Sequence, residues 1–313
     1  GVLLSAVIIL AYTVLGGFLA VSLTDAFQAF FMIFAFVFLP FIAIQDLGGW
    51  SVMIEQLQFQ EAALIDPLAL SAGAFIGFMG IGLGSSGNPH ILSRYMAIDD
   101  AKNLRFAAGI GTFWNIVMAA GAVLIGLVGR AYFSSIEMLP GADSENLYPY
   151  LAQLHLHPVL FGIVIASIFA AIMSTADSQL LVAASSVVRD WYQKILKRDE
   201  EIPQKKLVLY SRLVVVALVV VALLFGLVAQ ELVYWLVLFA WAGLGAALGP
   251  TSILALYWKG TTKEGVIAGI ITGTLVTIVW YFIPVLKSNM YELVPAFIAS
   301  GLVTILVSKW TKE

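Results

Sequence analysis

The sequence predicts an all-α polytopic membrane protein with about nine transmembrane helices, and three observations carry that expectation. Its 313 residues are 61% hydrophobic and 11% charged, with a mean hydropathy of +0.98, far from the roughly 45–50% apolar and about 25% charged makeup of soluble domains. Apolar stretches repeatedly reach the roughly 20 residues that a helix needs to cross a bilayer. These stretches are apolar on all sides and lack the alternation, in segments of about ten residues, that marks a β-barrel strand.

Taken in order, the predicted spans lie near 2–21, 25–45, 69–95, 105–130, 158–188, 207–228, 231–258, 265–285 and 291–309. The first opens directly from Gly1 without the charged region of a signal peptide, so an N-terminal part is expected to be missing. The second starts after the turn Ser22-Leu23-Thr24, where Asp25 is placed either to cap the helix or to reach a functional site. Between the second and third, residues 46–68 form a long acidic connection; residues 131–157 form another after the fourth span. Both are candidate lids or short re-entrant helices, with a solvated cap as the alternative. His155 and His157 in the second connection are expected to be solvated. The link from Arg189 to Lys206 is expected to be a solvated helix-turn segment.

Basic residues orient the chain, because Lys and Arg accumulate on the cytoplasmic side. Arg94, Lys102 and Arg105, the cluster from Arg189 to Arg212, Lys259 and Lys263, and Lys309 and Lys312 share one side, which takes 14 of the 16 basic residues. Only Arg130 and Lys287 fall opposite. Gly1 is therefore expected outside and Glu313 in the cytoplasm, with the bilayer as the permanent partner.

Composition also excludes. The net charge of −3 comes without a basic patch interleaved with aromatics, which argues against nucleic acid. No cysteine is present, so disulfides and thiolate chemistry are out. The three histidines form no H-E-x-x-H motif, and no serine elbow or phosphate loop occurs, so an enzyme is not expected. Gly82, Gly84 and Gly87 spell G-x-G-x-x-G, but no strand precedes them.

The fifth span carries the most informative residues. Ser167, Ser174, Asp177, Ser178 and Ser185 fall on one helical stripe, with Thr175 beside it. Hydroxyls alone commonly join membrane helices. A carboxylate at membrane depth costs several kcal/mol, about 3 at the span centre, unless paired or solvated, and marks an ion or substrate path. Hydroxyl and carboxylate oxygens suit a hard cation, and one negative charge matches a monovalent one. Asp25 is expected to reach the same ion site, towards the cytoplasmic half.

In the third span, Met79 to Leu92 holds four glycines and Pro89, a composition that breaks a helix and frees backbone groups. Irregular backbone at this depth is tolerated where it lines a cavity, and broken helices point to transporter binding sites. Ala240 to Pro250 provides a small-residue face, with Gly245 and Gly249 in G-x-x-x-G spacing for helix packing.

Four motifs in order, Tyr12-Thr13-Val14-Leu15-Gly16-Gly17 with Thr24-Asp25, Gly87-Asn88-Pro89-His90, Met173-Ser174-Thr175-Ala176-Asp177-Ser178, and Ala240-Trp241-Ala242-Gly243, resemble the sodium/solute symporter family, closest to bacterial sodium/proline symporters. The resemblance implies a leucine-transporter-like inverted-repeat fold, present here in part. In that frame residues 1–45 are the last two helices of the first repeat, 46–68 an extracellular loop, 69–258 the second repeat, and 259–313 two further C-terminal helices. The first three core helices, which supply the other half of the sodium and solute sites, are expected to be absent from this chain.

The resemblance further implies Na+ as coupling ion, with Ser174 and Thr175 at the main sodium site and Asp25, Asp177 and Ser178 at a second one. Asn88 and His90 match positions that contact or gate a small-molecule solute. Ile81 and Ser85 occupy positions where proline transporters place aromatics, and so depart from that pattern; Asp177 departs too. The implied activity is sodium-coupled symport of proline or a related amino acid across the plasma membrane. The alternatives are a transporter-like sensing module of a signalling protein and a proton-coupled carrier.

Overall fold

The structure, a computed structural model, describes residues 2–66, 68–198, 200–228 and 233–312. All regular elements among them are helical. They are α1 (Val2–Asp46), α2 (Trp50–Gln60), α3 (Ala72–Gly80), α4 (Pro89–Met96), α5 (Leu104–Tyr132), α6 (Leu147–His155), α7 (Pro158–Ser185), α8 (Gln204–Val228), α9 (Val233–Tyr257), α10 (Lys263–Phe282), α11 (Pro284–Asn289) and α12 (Leu293–Thr311). Among the described residues seven helical segments are long and apolar enough to cross a membrane, and two shorter apolar helices, Ser5–Val14 and Ala72–Gly87, correspond to the first and third predicted spans. The large side chains left exposed on them, such as Phe27, Phe30, Ile110, Phe113 and Leu224, are the surface a lipid phase requires.

The chain divides into two compact units, Gly1–Pro67 with Asp99–Ala229, and Leu68–Ile98 with Gln230–Glu313. In the first unit α1 packs along α7, α5 and α6. Leu39, Ala43, Met53, Leu57, Val128, Leu151 and Val164 form its buried core near the C-terminal end of α1. Aromatic pairs extend that core, with Phe36 stacked on Tyr148 at 5.3 Å.

Three expectations change here. The boundary between the first two spans is not at 22–24 but at Gly17, whose φ of 61° and ψ of −163° only glycine adopts without strain. Ser22 and Thr24 are inside the helix because their hydroxyls return to Phe18 O at 2.9 Å and Val21 O at 2.9 Å. Asp25 therefore has no helix N-terminus to cap. His155 is not solvated: its side chain is 11% exposed, its Nδ1 lies 2.9 Å from Asp46 Oδ2, and its ring sits 4.7 Å from Tyr132. The tie arises because α6 ends where α1 and α5 also end, and Tyr132 donates its hydroxyl to Ala43 O at 3.0 Å. His157 is exposed and caps α7, accepting from the Val159 N–H. The segment after α7 is an 11-residue π-helical extension, Ser186–Leu196, followed by a turn at Lys197 and Arg198, and the described residues from Arg189 to Lys206 are mostly exposed, the solvated helix-turn segment expected.

In the second unit α9, α10 and α12 pack on one another. The contact runs over glycine. A Cβ at Gly273 would lie 2.7 Å from the Ala246 carbonyl carbon, and Gly265 and Gly269 face Ser308 and Thr304. Small residues of this kind let membrane helices approach where lipid removes the hydrophobic drive. Gly245 and Gly249 do what their spacing predicts: a Cβ added at Gly245 would lie 2.6 Å from Gly84 Cα, and one at Gly249 2.6 Å from Ser86 Oγ. Gly273→Ala is expected to lower the thermal midpoint of the full-length protein, by about 1–3 kcal/mol of overpacking against rigid backbone. Gly109→Ala, where an added Cβ meets nothing within 4 Å, is the control and is expected to leave it unchanged or higher.

Candidate ion and solute sites

The ion-site residues belong to the first unit. Asp177 is fully buried on the face of α7 that meets α1. The Tyr12 hydroxyl donates to its Oδ2 at 2.8 Å and lies 3.3 Å from Met173 O. The Ser178 hydroxyl lies 3.1 Å from Oδ1 and 2.9 Å from Ser174 O. Asp25, half-buried on α1, is the other carboxylate whose charge acts on Tyr12. Ser174 and Thr175 both donate to Ala171 O, each at 3.1 Å. Their protons are thus spent on the helix backbone, and the oxygen lone pairs remain as acceptors.

The predicted stripe does not hold along its whole length. Ser167 is buried, donates to Val164 O at 2.7 Å and meets Tyr148 at 3.3 Å. Ser174 is half-buried, whereas Thr175 and Ser185 are exposed. Ser185 is the last residue of α7, and a π-helical segment follows it.

The predicted solute residues belong to the second unit, where the expected interruption is present. α3 stops at Gly80, a 3-10 segment runs over Ile81–Gly87, Asn88 is extended at φ −87° and ψ 112°, and α4 restarts at Pro89. Asn88 is buried, and its amide donates to Gly84 O at 2.7 Å, so it closes the loosened turn. The freed Ile81 carbonyl accepts from Trp241 Nε1 at 2.9 Å. Ser85 and His90 are half-buried. Ile81 lines a cavity that none of Ser85, Asn88 and His90 reaches. The structure thus gathers these four on one broken helix without converging them on that cavity.

Tyr12, Tyr148 and Trp241 are functional or supporting residues that spacing rules passed over. Their signal was available: each is an aromatic ring with a polar handle inside an apolar run, and such a handle finds a partner when buried. The described residues contain no group of three or more His, Cys, Asp or Glu able to hold a metal ion. The oxygen set is one buried acid plus hydroxyls, which fits a monovalent cation better than a divalent one.

A buried carboxylate inside a helical bundle, and a second bundle built around an interrupted helix, define a multi-pass membrane protein. The sodium:solute symporter family matches residues 1–273, and the chain belongs to that family. The chain is 39% identical over its full length to the sodium/proline symporter of Staphylococcus aureus, and to the same protein in strains JH9 and Newman. It spans 62% of the length of each of these relatives. A solved Na+-coupled sialic acid symporter, in a substrate-bound outward-open state with a novel Na+ site, superposes with a TM-score of 0.75 at 17% identity. That likeness covers 99% of this chain and 66% of the other, and shows a shared leucine-transporter-like fold.

Tyr12→Phe is expected to destabilise the full-length protein by about 1–3 kcal/mol, the cost of leaving a buried charged acceptor short of one donor. Tyr148→Phe is expected to cost less, because Ser167 keeps its bond to Val164 O. Thermal melting of the two variants side by side measures the difference.

Proposed function

We propose that the protein of which this chain is a part carries out sodium-coupled secondary active symport of a small organic solute, proline or a related amino acid, by alternating access. The observation that carries the reading is the oxygen-rich face of α7, where buried Asp177 and the acceptor hydroxyls of Ser174, Thr175 and Ser178 lie within one helical turn and a half. Hard monovalent cations take such oxygens, and a carboxylate at membrane depth is otherwise a net cost. That the Staphylococcus aureus relatives are sodium/proline symporters supports the choice of proline. Ile81 and Ser85 in place of aromatics argue for a site reshaped towards related amino acids.

In this reading Ser174 and Thr175 hold the first sodium, and Asp25, Asp177 and Ser178 serve a second cation position. Asn88 closes the loosened turn at Gly84, and Ile81, Ser85, Asn88 and His90 belong to the solute path. Residues 1–45 close the first inverted repeat, 69–258 form the second, and 259–313 flank it. The protein sits in the plasma membrane with Gly1 outside and Glu313 in the cytoplasm, as the distribution of basic residues favours. Transport requires no bond making, so no enzymatic role is assigned.

Sodium-dependent uptake of radiolabelled proline by the full-length protein tests the reading. Ser174→Ala and Thr175→Ala are each expected to raise the sodium concentration for half-maximal uptake by about tenfold or more, the loss of one contact to a charged ligand worth about 1.5–3 kcal/mol. Both variants are expected to melt like the wild type, since each hydroxyl bonds only within its own helix. Uptake that proceeds unchanged in sodium-free buffer under a proton gradient overturns the sodium coupling.

A further inference from the structure

Within the second unit, α3, α9, α10, α11 and the start of α12 enclose a cavity of about 140 Å³. That volume is close to the roughly 150 Å³ that accommodates a benzene ring. It lies where α9 begins at Val233, α10 ends at Phe282 and α12 begins at Leu293, so three spans share one boundary there. Its walls are fixed: Trp280 Nε1 donates to Met290 O at 2.9 Å, Tyr291 donates its hydroxyl to Leu238 O at 2.6 Å, and Gly77 meets the Tyr291 backbone N at a Cβ distance of 3.0 Å.

The chemistry of the lining is divided. Phe78 and Leu238 give an apolar wall, Trp235 and Tyr281 give ring faces, and Lys287 and Glu292 bring opposite charges. Lys287 Nζ lies 3.8 Å from the Tyr281 ring centre and 5.9 Å from that of Trp235, so the rings already accept an ammonium. Glu292 is buried at 4% exposure and Lys287 is exposed. Burial pushes the Glu292 carboxyl above the ordinary carboxylate range, and Lys287 draws it back through its charge alone. No direct ion pair joins the two among the described residues. A ligand with an anion and an ammonium at headgroup spacing completes both.

We propose that this cavity binds the headgroup of a phospholipid bearing a primary ammonium. The phosphate meets Lys287 where it rests over the Tyr281 and Trp235 rings, the ammonium meets Glu292, and the acyl end leaves along Phe78 and Leu238. A lipid is the occupant because the cavity stands at the aromatic boundary of the bilayer, where headgroups are concentrated, and because its lining is mainly apolar. The inference goes beyond the transport reading and does not rest on it.

The test uses the purified full-length protein, delipidated in detergent, with thermal melting against added phosphatidylethanolamine, phosphatidylcholine and phosphatidylglycerol. The wild type is expected to be stabilised by phosphatidylethanolamine at concentrations about tenfold lower than by the other two, a preference of about 1.4 kcal/mol. Lys287→Gln and Glu292→Gln are each expected to abolish that preference, and because Lys287 is exposed its replacement tests the site without disturbing the core. A photoreactive phosphatidylethanolamine is expected to label the 281–292 segment of the wild type and not of Lys287→Gln. Variants that keep the preference overturn the proposal. So does water-soluble phosphoethanolamine or free proline that stabilises the wild type equally and fails in the same variants, which would assign the cavity to a soluble zwitterion.

Discussion

The hydrogen bond from Tyr12 to Asp177 is the contact on which the first unit turns. A carboxylate among apolar helices must be compensated, and here the compensation comes from the phenol on α1 and the neighbouring Ser178 hydroxyl. Because Tyr12 lies in the part of α1 before the Gly17 break, that break sets its register against α7. The remainder of α1 then runs on to Asp46, where the His155 contact ties the other end to α6. α1 is thus fixed towards both ends by polar contacts, and its C-terminal part also packs by Ala35, Leu39 and Ala43. Lipid-facing residues contribute little to that specificity, since they exchange one apolar surrounding for another.

The second unit solves the same problem with backbone instead of side chains. Gly265, Gly269 and Gly273 bring α10 against α12 and α9, and Gly245 and Gly249 bring α9 against the interrupted segment. This closeness is what permits the interruption. The carbonyls freed over Ile81–Gly87 find donors in Trp241 and Asn88, so the irregular backbone is paired within protein.

Much of this was legible in the sequence. Residue hydropathy placed the spans, the glycines with Pro89 placed the break, and the G-x-x-x-G spacing placed a packing face, because each feature is local and has a direct backbone consequence. The Gly17 break was not legible, since a glycine pair in an apolar run is equally compatible with a straight helix, and Ser22 to Asp25 offered a more polar alternative. Their hydroxyls proved satisfied inside the helix. His155 was misplaced because its partner Asp46 is 109 residues away, and no sequence window joins them. Tyr12 has the same difficulty at a separation of 165. For the candidate site the residue types were readable, but which of them turn inward was not: Ser185 shares the period of the stripe and still ends exposed, as does Thr175 beside it.

The direction of the hydroxyl protons bears on the choice of ion. Ser174 and Thr175 donate into the same carbonyl, Ala171 O, so what they offer to a ligand is electron density. An anionic or donor-rich solute gains nothing from such a surface. A proton carrier needs only the carboxylate, and the adjacent pair of committed hydroxyls would then be superfluous to the coupling. Oxygens of this kind suit monovalent cations, with neutral hydroxyl oxygens at Ser174 and Thr175 and a charge at Asp177. The Tyr12 hydroxyl on Oδ2 and the Ser178 hydroxyl on Oδ1 anchor that carboxylate in place between α1 and α7.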